Sequence, residues 1–307
     1  MKVLVTGGAD FIGSHVVDRL LQEGHQVVIV DNLSTGKRQN LNSAARFCKM
    51  DIQSWRLARV FRNERPNVVM HLAAQMDVRK SVEDPAFDAQ VNVLGMLNVL
   101  QQALQHGVRK VVFASSGGAI YGEQEVYPAS ESHPTRPLSP YGISKLCGEQ
   151  YLSYYQRVSG LQVVNLRYAN VYGPRQDPDG EAGVIAIFIQ KLLNNEQTII
   201  HGNGRQTRDF VYVEDVVEAT LAAMDQDTQG TYNVGTGQET SINDLMQLLI
   251  THTHSTSKEM HGPAKKGEQA RSVIDPGKIR QELSWEPRTE LSEGLKLTVD
   301  YFRERMG

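Results

Sequence analysis

Two side chains that could carry proton transfer lie four residues apart in the segment Tyr141-Gly-Ile-Ser-Lys145. On a helix, this spacing places both side chains on one face. A free phenol titrates near ~10, which is too high for a base at neutral pH. A nearby ammonium group favours the phenolate, so Lys145 could make Tyr141 a proton acceptor. The pattern alone is short, and a chance surface pair is the competing interpretation until other parts of a site are found.

Hydroxyl side chains precede this pair at the end of a predicted strand. The apolar run Lys110 to Ala114 predicts the strand, and Ser115 and Ser116 follow it directly. Small hydroxyl residues at a strand end are often simple turn formers. Ser116 could instead hydrogen-bond a substrate alcohol and assist its deprotonation. With Tyr141 and Lys145 downstream, the sequence favours this catalytic interpretation.

The N-terminal segment predicts a nucleotide-binding unit of strand, glycine-rich turn, helix and strand. The strand Lys2 to Val5 leads into a turn with Gly7 and Gly13, and the second strand, His25 to Val30, ends at Asp31. Glycines permit the tight turn and close helix packing, and the helix N-terminus favours a pyrophosphate. Asp31 can accept hydrogen bonds from the adenine-ribose hydroxyls and would repel a 2′-phosphate. The unit therefore predicts NAD, rather than NADP, as the cofactor.

Asp10 interrupts the glycine pattern at the position where the backbone must pass close to the pyrophosphate. A carboxylate there adds bulk and like charge beside the phosphates, which would weaken cofactor retention. The alternative is that Asp10 turns outward and caps the helix that begins at Phe11. The sequence leaves both interpretations open.

Strands and helices continue to alternate after Asp31, which predicts an α/β fold with a Rossmann-type, doubly wound parallel sheet. Further strands are predicted at Arg46 to Met50, Asn67 to Leu72, Lys110 to Ala114 and Leu161 to Arg167, and long helices at Ala86 to His106 and from Pro140. From Gln176 the composition shifts to Pro, Gly and Asp. We therefore predict an NAD-binding domain over residues 1–175, with return segments at about 209–235, and a smaller mixed α/β substrate-binding region over residues 176–307.

Composition limits the classes of partner. The chain has 307 residues, is 40% hydrophobic and has a net charge of −3 without a basic stripe, so nucleic acid is not an expected partner. Its two cysteines, Cys48 and Cys147, form neither a disulfide framework nor a metal-ligand spacing. The sequence shows no signal-peptide pattern and no apolar run of ~18 residues. These features predict a soluble, cytoplasmic protein that neither contacts a membrane nor binds a metal.

These motifs resemble the extended short-chain dehydrogenase/reductases, in the NAD-dependent epimerase/dehydratase group, and most of all the UDP-glucose 4-epimerase type. The matching segments are Thr6-Gly7-Gly8-Ala9 with Phe11-Ile12-Gly13, Asp31-Asn32-Leu33-Ser34, Leu72-Ala73-Ala74, Ser115-Ser116, Tyr141-Gly142-x-Ser144-Lys145, Arg167 to Arg175 and Gln206 to Val213. They follow the family order and span nearly the entire chain. The resemblance therefore covers both predicted regions.

The resemblance implies a role for each matching position. Ser116, Tyr141 and Lys145 would form the catalytic triad, and Lys145 would also hold the nicotinamide ribose. Cofactor contacts are implied for Gly7, Asp10, Phe11, Ile12, Asp31, Asn32, Ser34, Asp51, Ile52, Leu72, Ala73, Ala74, Asn92, Tyr141, Lys145 and Tyr168. Substrate contacts are implied for Ser116, Asn170, Val184, Arg208, Lys265, Glu268 and Ser272. Arg208 suits a diphosphate because a guanidinium offers paired donors to phosphate oxygens.

The reaction implied by the resemblance is epimerisation at C4 of a UDP-hexose, which interconverts UDP-glucose and UDP-galactose. Phenolate Tyr141 removes the proton from the sugar 4-hydroxyl while Ser116 hydrogen-bonds the same oxygen, and hydride passes from C4 to NAD. The 4-keto sugar then swings about its pyrophosphate and takes the hydride back on its opposite face. Net redox is zero, so NAD is expected to stay bound and to be recycled.

Related activities differ in the residues that they require. The 4,6-dehydratases carry an acidic pair just after the catalytic Ser or Thr, and decarboxylases place a Glu close by, whereas Gly117-Gly118-Ala119 follows Ser116 here. Epimerisation of UDP-glucuronate uses the same triad and stays open, because the sequence does not show which residue faces C6. A non-catalytic, NAD-sensing regulator is a remote alternative, since such a protein need not retain a catalytic tyrosine and lysine.

One position bears on the substrate range. Relatives gate the sugar 2-substituent with a residue after an Arg-x-Gly-Asp segment, which here is Lys265-Lys266-Gly267-Glu268. The equivalent gate is Ser272, a small residue where a bulky one excludes N-acetyl sugars. UDP-GlcNAc and UDP-GalNAc are therefore expected substrates as well. Lys265 in place of arginine loses one bidentate phosphate contact.

Relatives of this type pair as homodimers through a four-helix interface. The matching helices here are Ala86 to His106 and Pro140 to Ser159. The resemblance thus implies a homodimer, although the same apolar positions could equally belong to the core of a single chain.

Overall fold

A seven-stranded parallel sheet forms the centre of the computed structural model, which describes residues 1–179, 183–224, 227–257, 259–264 and 269–306. Its strands are β1 (Lys2–Thr6), β2 (Gln26–Asp31), β3 (Arg46–Lys49), β4 (Val68–His71), β5 (Lys110–Ser116), β6 (Gln162–Tyr168) and β11 (Gly230–Val234). They lie in the order β11-β6-β5-β4-β1-β2-β3, and all neighbours are parallel. The strand order reverses between β1 and β4, so a crevice opens there at the carboxyl ends. The predicted doubly wound, Rossmann-type sheet is confirmed.

Helices cover both faces of this sheet. They are α1 (Phe11–Gln22), α2 (Leu57–Glu64), α3 (Val78–Glu83), α4 (Pro85–Ala89), α5 (Met96–Gln105), α6 (Gly117–Ile120), α7 (Pro140–Ser159), α8 (Val184–Leu193), α9 (Val213–Ala222), α10 (Ile242–Thr253), α11 (Gly277–Leu283) and α12 (Leu291–Met306). Val3 and Val5 pack in a core with α1 and α9, whereas Leu4 packs in a second core with α2 and α5. Burial on both faces is typical of parallel strands and explains their continuous apolar runs. None of the helices in the described ranges has the length and apolar character that a membrane span requires.

The helix predicted at Ala86 to His106 is one continuous path with a change of winding in its middle. Helix α4 passes into a π-helical segment, Gln90–Gly95, and then into α5. A π segment inserts an extra residue per turn and often occurs beside a functional site. Here it contains the buried Asn92. Apolar periodicity predicted the path of the helix but could not show this local change.

The chain after β6 builds a smaller mixed region from short strands and three helices. The strands are β7 (Asn170–Tyr172), β8 (Thr198–His201), β9 (Thr207–Arg208), β10 (Phe210–Tyr212), β12 (Thr240–Ser241), β13 (Glu259–Gly262) and β14 (Arg271–Ser272). Helices α8, α10 and α12 share a separate core that includes Phe188, Leu245 and Val299. Helix α9 and strand β11 return to the main sheet, where β11 pairs with β6. The exact division at residues 175 and 176 stays a prediction.

Candidate active site

The turn between β1 and α1 depends on two glycines. Gly7 has a φ of +74°, and a Cβ atom there would lie 2.7 Å from the backbone nitrogen of Ala73. A Cβ atom at Gly13 would lie 2.0 Å from the carbonyl oxygen of Gly7. Larger residues at either position would therefore push the turn away from the chain after β4 or from α1. The Asp31 Oδ2 atom accepts a hydrogen bond from Ala9 N at 3.0 Å, which ties the turn to the end of β2.

A cleft of about 270 Å³ opens beside this turn, at the carboxyl ends of β1, β2 and β4. The predicted cofactor residues that line it are Gly7, Asp10, Asp31, Asn32, Ser34, Asp51, Ile52, Ala73 and Ala74. Asp51 Oδ2 accepts from Asn32 Nδ2 at 2.9 Å, and Asp31 Oδ1 accepts from Leu33 N at 2.8 Å. Acceptors at the end of β2 and a helix N-terminus in one cleft fit the ribose and the pyrophosphate of NAD.

Asp10 faces the cofactor cleft. It occupies the N-cap position of α1 with extended backbone angles, but its side chain makes no capping hydrogen bond. The side chain hydrogen-bonds Thr35 instead, while burial and the charge of Asp31 raise its pKa to about 7. The hypothesis that Asp10 turns outward to cap α1 is therefore wrong. The Asp10 side chain therefore occupies the part of the cleft where the glycine pattern predicts backbone exposed to the pyrophosphate.

A second cavity, of about 590 Å³, lies between the main sheet and the smaller region. Met76 lines both cavities, so the two adjoin. The predicted site residues that line the second cavity are Phe11, Ile12, Ser116, Tyr141, Tyr168, Asn170, Val184 and Arg208. Four predicted residues lie in the described ranges but line neither cavity: Leu72, Asn92, Lys145 and Ser272. Lys265 and Glu268 lie outside the described residues.

Tyr141 and Ser116 meet where α7 begins beside the end of β5. The Ser139 side chain caps α7 by accepting from Gly142 N at 3.1 Å, and Pro140 follows at the first helical position. This start places Tyr141 in the first turn, where its hydroxyl hydrogen-bonds Ser116. The predicted hydroxyl and phenol thus meet in one cavity.

Lys145 lies behind this pair. Its Nζ donates to the Ala114 carbonyl oxygen at 2.8 Å and lies 5.7 Å from the centroid of the Tyr141 ring. Burial lowers the pKa of Lys145 to about 8 and raises the pKa of Tyr141 above its ordinary value. Desolvation favours the neutral form of both groups and so opposes the predicted assistance of Tyr141 by Lys145. The role of Tyr141 as a proton acceptor stays a prediction.

Asn92 and Leu72 support the cleft from behind. Asn92 Nδ2 donates to the Gln75 carbonyl oxygen at 2.8 Å, and Asn92 Oδ1 accepts from Gln75 N at 2.8 Å. This amide pair fixes Gln75, which lines the cofactor cleft. Leu72 is partly buried against the core beside β4. The structure therefore shows these two predicted cofactor residues in supporting positions.

Arg208 lies on β9 and lines the second cavity. Strand β9 is flanked by β12 and β14. Arg208 Nη1 donates to the carbonyl oxygens of Thr207 at 2.7 Å and Gln269 at 3.0 Å. Ser272 pairs with Arg208 in the register of β9 and β14 and is buried. The structure therefore does not bring the predicted gate to the described wall of the cavity.

Several residues of the cavity were not predicted from the sequence. They are Arg79, Lys191, His201 and Gln206. Lys191 is the one charged residue of the largely apolar helix α8, and that contrast was the available signal. With Arg208, the described wall carries three cationic side chains and no Asp or Glu. Within the described ranges, no cluster of His, Cys, Asp or Glu could hold a metal ion.

A buried ion pair locks the elements that carry the catalytic residues. Arg167 on β6 and Glu149 on α7 pair at 2.6 Å between Nη2 and Oε2. Ser115 Oγ donates to Glu149 Oε1 at 2.5 Å, and Arg167 Nη1 donates to the Tyr121 hydroxyl at 2.9 Å. The contacts join β5, β6 and α7. They therefore hold Ser116 at a defined distance from Tyr141.

Comparison with known proteins places this arrangement in a family. Residues 3–235 match the NAD-dependent epimerase/dehydratase family. The chain is 45% identical over 311 residues to UDP-glucose 4-epimerase of Mycolicibacterium smegmatis, with 99% of each chain covered. It is also similar to the Thermotoga maritima UDP-glucose 4-epimerase with UDP-glucose (TM-score 0.98, 48% identity, 100% of both chains). The Thermus thermophilus enzyme in complex with NAD gives a TM-score of 0.95 at 46% identity, with 99% of both chains covered. The chain therefore belongs to the NAD-dependent epimerase/dehydratase family.

Proposed function

We propose that this chain interconverts UDP-glucose and UDP-galactose by epimerisation at C4, with NAD as its cofactor. The observation that carries the proposal is the hydrogen-bonded pair Ser116–Tyr141 in a cavity that adjoins the cofactor cleft. The same cavity carries Arg79, Lys191 and Arg208 on its described wall. This charge suits a diphosphate, and relatives similar over the full chain carry the same enzyme name.

The chain's own residues supply the acid–base chemistry. Tyr141 accepts the proton of the sugar 4-hydroxyl, and Ser116 hydrogen-bonds the same oxygen during the transfer. The residues that line the cleft of β1, β2 and β4 would hold NAD, which would supply a reversible acceptor for the hydride of C4. Lys145 provides positive charge behind the phenol, and Arg208 holds the diphosphate while the 4-keto sugar turns over. We assign the cofactor contacts to the residues that line the cleft of β1, β2 and β4.

The described residues beside Ser116 favour epimerisation over dehydration. Gly117-Gly118-Ala119 lie in the short helix α6, which begins immediately after Ser116. No Asp or Glu lines the described wall of the cavity. Loss of water from the sugar requires an acid and a base in addition to the tyrosine. The 4-keto sugar therefore has no described partner for elimination and returns to a hexose.

Ser272 and the cations of the second cavity bear on the substrate range. We propose that UDP-GlcNAc and UDP-GalNAc are accepted as well, on the basis of the small Ser272. Ser272 is buried on β14 and pairs in register with Arg208, which lines the cavity. UDP-glucuronate is the nearest alternative substrate, since Arg79 and Lys191 offer cations to a carboxylate.

We further propose a homodimer in which α7 and the helical path of α4 and α5 pair with their copies. On α7, Ile143, Tyr151, Tyr154 and Val158 are exposed at helical spacing and form one apolar stripe. Phe87 and Leu94 on the neighbouring path are 47% and 60% exposed. An apolar stripe of this length is typical of an interface.

The cytoplasm is the compartment that we propose. Cys48 and Cys147 are both free thiols and both partly buried. Free thiols persist in reducing compartments, of which the cytoplasm is one.

An NMR time course with purified protein and UDP-galactose tests the function. Conversion to UDP-glucose without added NAD is the expected result and also shows that cofactor is retained. Conversion only with added NAD supports the activity and locates a weakness at Asp10. Tyr141→Phe is the matched control because it removes the base and keeps the ring. No conversion of UDP-galactose, with or without NAD, overturns the proposal and directs the search to UDP-GlcNAc and UDP-glucuronate.

A further inference from the structure

The hydroxyl of Tyr121 joins two strands of the main sheet inside the protein. Tyr121 is 0% exposed and directly follows α6. Its hydroxyl accepts a hydrogen bond from Arg167 Nη1 at 2.9 Å and donates one to Asn233 Oδ1 at 2.7 Å. Arg167 lies on β6, and Asn233 is its register partner on β11. Burial raises the pKa of Tyr121 to about 12, so the hydroxyl keeps the proton that it donates.

One branch of hydrogen bonds runs from this hydroxyl to the proposed reaction centre. Arg167 donates from Nε and Nη2 to the carboxylate of Glu149 on α7, at 3.0 and 2.6 Å. Glu149 also accepts from Ser115 Oγ at 2.5 Å, and Ser115 directly precedes Ser116. Helix α7 carries Tyr141 in its first turn. This branch therefore reaches the two elements that carry Ser116 and Tyr141.

A second branch runs from the hydroxyl toward the proposed diphosphate site. Asn233 Nδ2 donates to the carbonyl oxygens of Ala129 at 2.9 Å and Asp275 at 3.2 Å. The backbones of these two segments are joined as well, since Ala129 N donates to Val273 O at 3.0 Å and Asp275 N donates to Ala129 O at 2.8 Å. Val273 directly follows β14, which pairs with the strand β9 that carries Arg208. This branch therefore ends at the strand pair that holds Arg208.

The proposed reaction requires these two ends to keep a fixed separation. Arg208 holds the diphosphate while Ser116 and Tyr141 contact the oxygen on C4. The 4-keto sugar turns over between the two hydride transfers, so both of its faces must reach the same place in the site. A misplacement of about 1 Å between reacting groups can lower a rate by about 100-fold. A buried link between the two ends therefore bears directly on the rate.

We propose that Tyr121 is a positioning residue, whose hydroxyl fixes the diphosphate end of the substrate cavity relative to Ser116 and Tyr141. This inference rests on the proposed function, because it assigns Tyr121 to the two ends of that reaction's substrate. Tyr121 lines neither the cofactor cleft nor the second cavity. It therefore acts on the substrate through Arg167 and Asn233.

Tyr121→Phe removes the hydroxyl and keeps the aromatic ring. The ring centroid lies 5.1 Å from Arg167 Cζ and 5.6 Å from the centroid of the His133 ring, and both contacts remain in the variant. Glu131 makes a parallel link, since its carbonyl oxygen accepts from Arg167 Nη1 at 3.2 Å and its Oε1 accepts from Asn233 N at 2.7 Å. The variant should therefore fold, with the two branches less firmly joined. Asn233→Ser interrupts the second branch at the next residue, should Tyr121→Phe hinder folding.

Tyr232→Phe is the matched control, because it removes a buried hydroxyl from the neighbouring position on β11. Tyr232 is 2% exposed, and its hydroxyl contacts Gln229 O at 3.0 Å and Glu282 Oε2 at 2.8 Å. Its ring packs in the core with α1 and α9, and it lines neither the cofactor cleft nor the second cavity. Both variants lose one buried hydroxyl with two partners, so the control measures the general cost of such a loss.

Epimerisation of UDP-galactose by the purified holoenzyme separates positioning from general damage. Tyr121→Phe should lower kcat by about tenfold, because C4 is held less accurately, while the dissociation constant of UDP alone stays at the wild-type value. A 4-keto sugar that is held less accurately should also escape more often, which leaves one reduced nicotinamide for each keto sugar released. Tyr232→Phe should match the wild type in all three measurements. A kcat of Tyr121→Phe and Asn233→Ser equal to that of Tyr232→Phe would overturn the proposal, and so would an equal loss of kcat and UDP affinity.

Backbone amide exchange tests the link without any need for activity. The reporters are the amides of Ala129 and Asp275, whose hydrogen bonds lie beside the Asn233 side chain. Their exchange should be several-fold faster in Tyr121→Phe than in the wild type, and unchanged in Tyr232→Phe. Unchanged exchange in Tyr121→Phe refutes the role of Tyr121 even if epimerisation is confirmed. Faster exchange in a protein without any epimerase activity refutes the proposed function and leaves the link in place.

Discussion

Asp10 should make the affinity for NAD depend on pH. Burial and the Asp31 charge raise the pKa of Asp10 to about 7 in the chain without cofactor. The negative diphosphate of bound NAD raises this pKa further. Below about pH 7 the side chain is neutral in both states, whereas above it the free protein has lost the proton and binding must take one up. The affinity should therefore be fully present at low pH and fall as the pH rises through about 7.

The size of the effect follows from this proton uptake. Affinity should fall by up to tenfold for each pH unit above the pKa of Asp10. At about pH 8.5 the wild-type protein should bind NAD up to ~30-fold, or about 2 kcal/mol, more weakly than at about pH 6. The loss of affinity stops growing once the pH reaches the pKa of Asp10 in the NAD-bound protein.

Two substitutions separate the charge of Asp10 from its bulk. Asp10→Asn keeps the size, cannot ionise, and should show the low-pH affinity of the wild type at all pH values. Asp10→Gly also removes the side chain, so any gain beyond Asp10→Asn measures the steric part. The assay is the fraction of nucleotide retained after dialysis at the two pH values, with the dissociation constant measured on the nucleotide-free fraction.

A pH dependence that is equal in the wild type and Asp10→Asn would refute the reasoning, because another group would then control the affinity. Equal affinity in all three proteins at every pH would show that Asp10 turns away from the bound phosphates. Groups such as Asp31 remain in each variant, so their titration cancels in the comparison.

Three further substitutions test other parts of the structure. Glu149→Gln should lower the free energy of unfolding, measured in urea, by about 3 kcal/mol, because it leaves Arg167 buried without its partner; an unchanged midpoint would contradict this. Ser272→Tyr should lower activity on UDP-GlcNAc more than on UDP-glucose, and a constant ratio of the two rates would remove Ser272 as the gate. Tyr154→Glu places a charge on the exposed stripe of α7 and should convert a dimer into monomers in sedimentation. Arg303→Glu, at an exposed position of α12, should not.

The main sheet was predictable because parallel strands are buried on both faces. The runs Asn67 to Leu72 and Lys110 to Ala114 are largely apolar. Strand β4 lies within the first run, and β5 begins with the second and continues to Ser116. The smaller region gave weaker signals. Strands β9, β12 and β14 have two residues each, and strands this short carry no periodicity. Their position depends on contacts between distant segments, which a single sequence does not show.

The site was predictable where a motif fixes local geometry. Ser116 and Tyr141 meet because one ends a strand and the other begins a capped helix. Ser272 shows the limit of such motifs. It was assigned as the gate from its position after Lys265-Lys266-Gly267-Glu268, and that spacing could not reveal that it is buried beside Arg208. Asp88 on α4 shows the same limit, since it is buried and its Oδ2 atom has no hydrogen-bond partner among the described residues. No sequence pattern marks a carboxylate as unpartnered, because pairing depends on the whole surrounding structure.

Burial works against the pairing that the sequence predicts for Tyr141 and Lys145. As an isolated pair, the ammonium ion of Lys145 would lower the phenol pKa. In the folded chain, burial raises the pKa of Tyr141 and lowers the pKa of Lys145 to about 8. A positive charge beside a phenol favours its ionised form, and the oxidised nicotinamide ring of NAD carries such a charge. We therefore expect the pKa of Tyr141 to be lower in the NAD-bound protein than in the chain without cofactor.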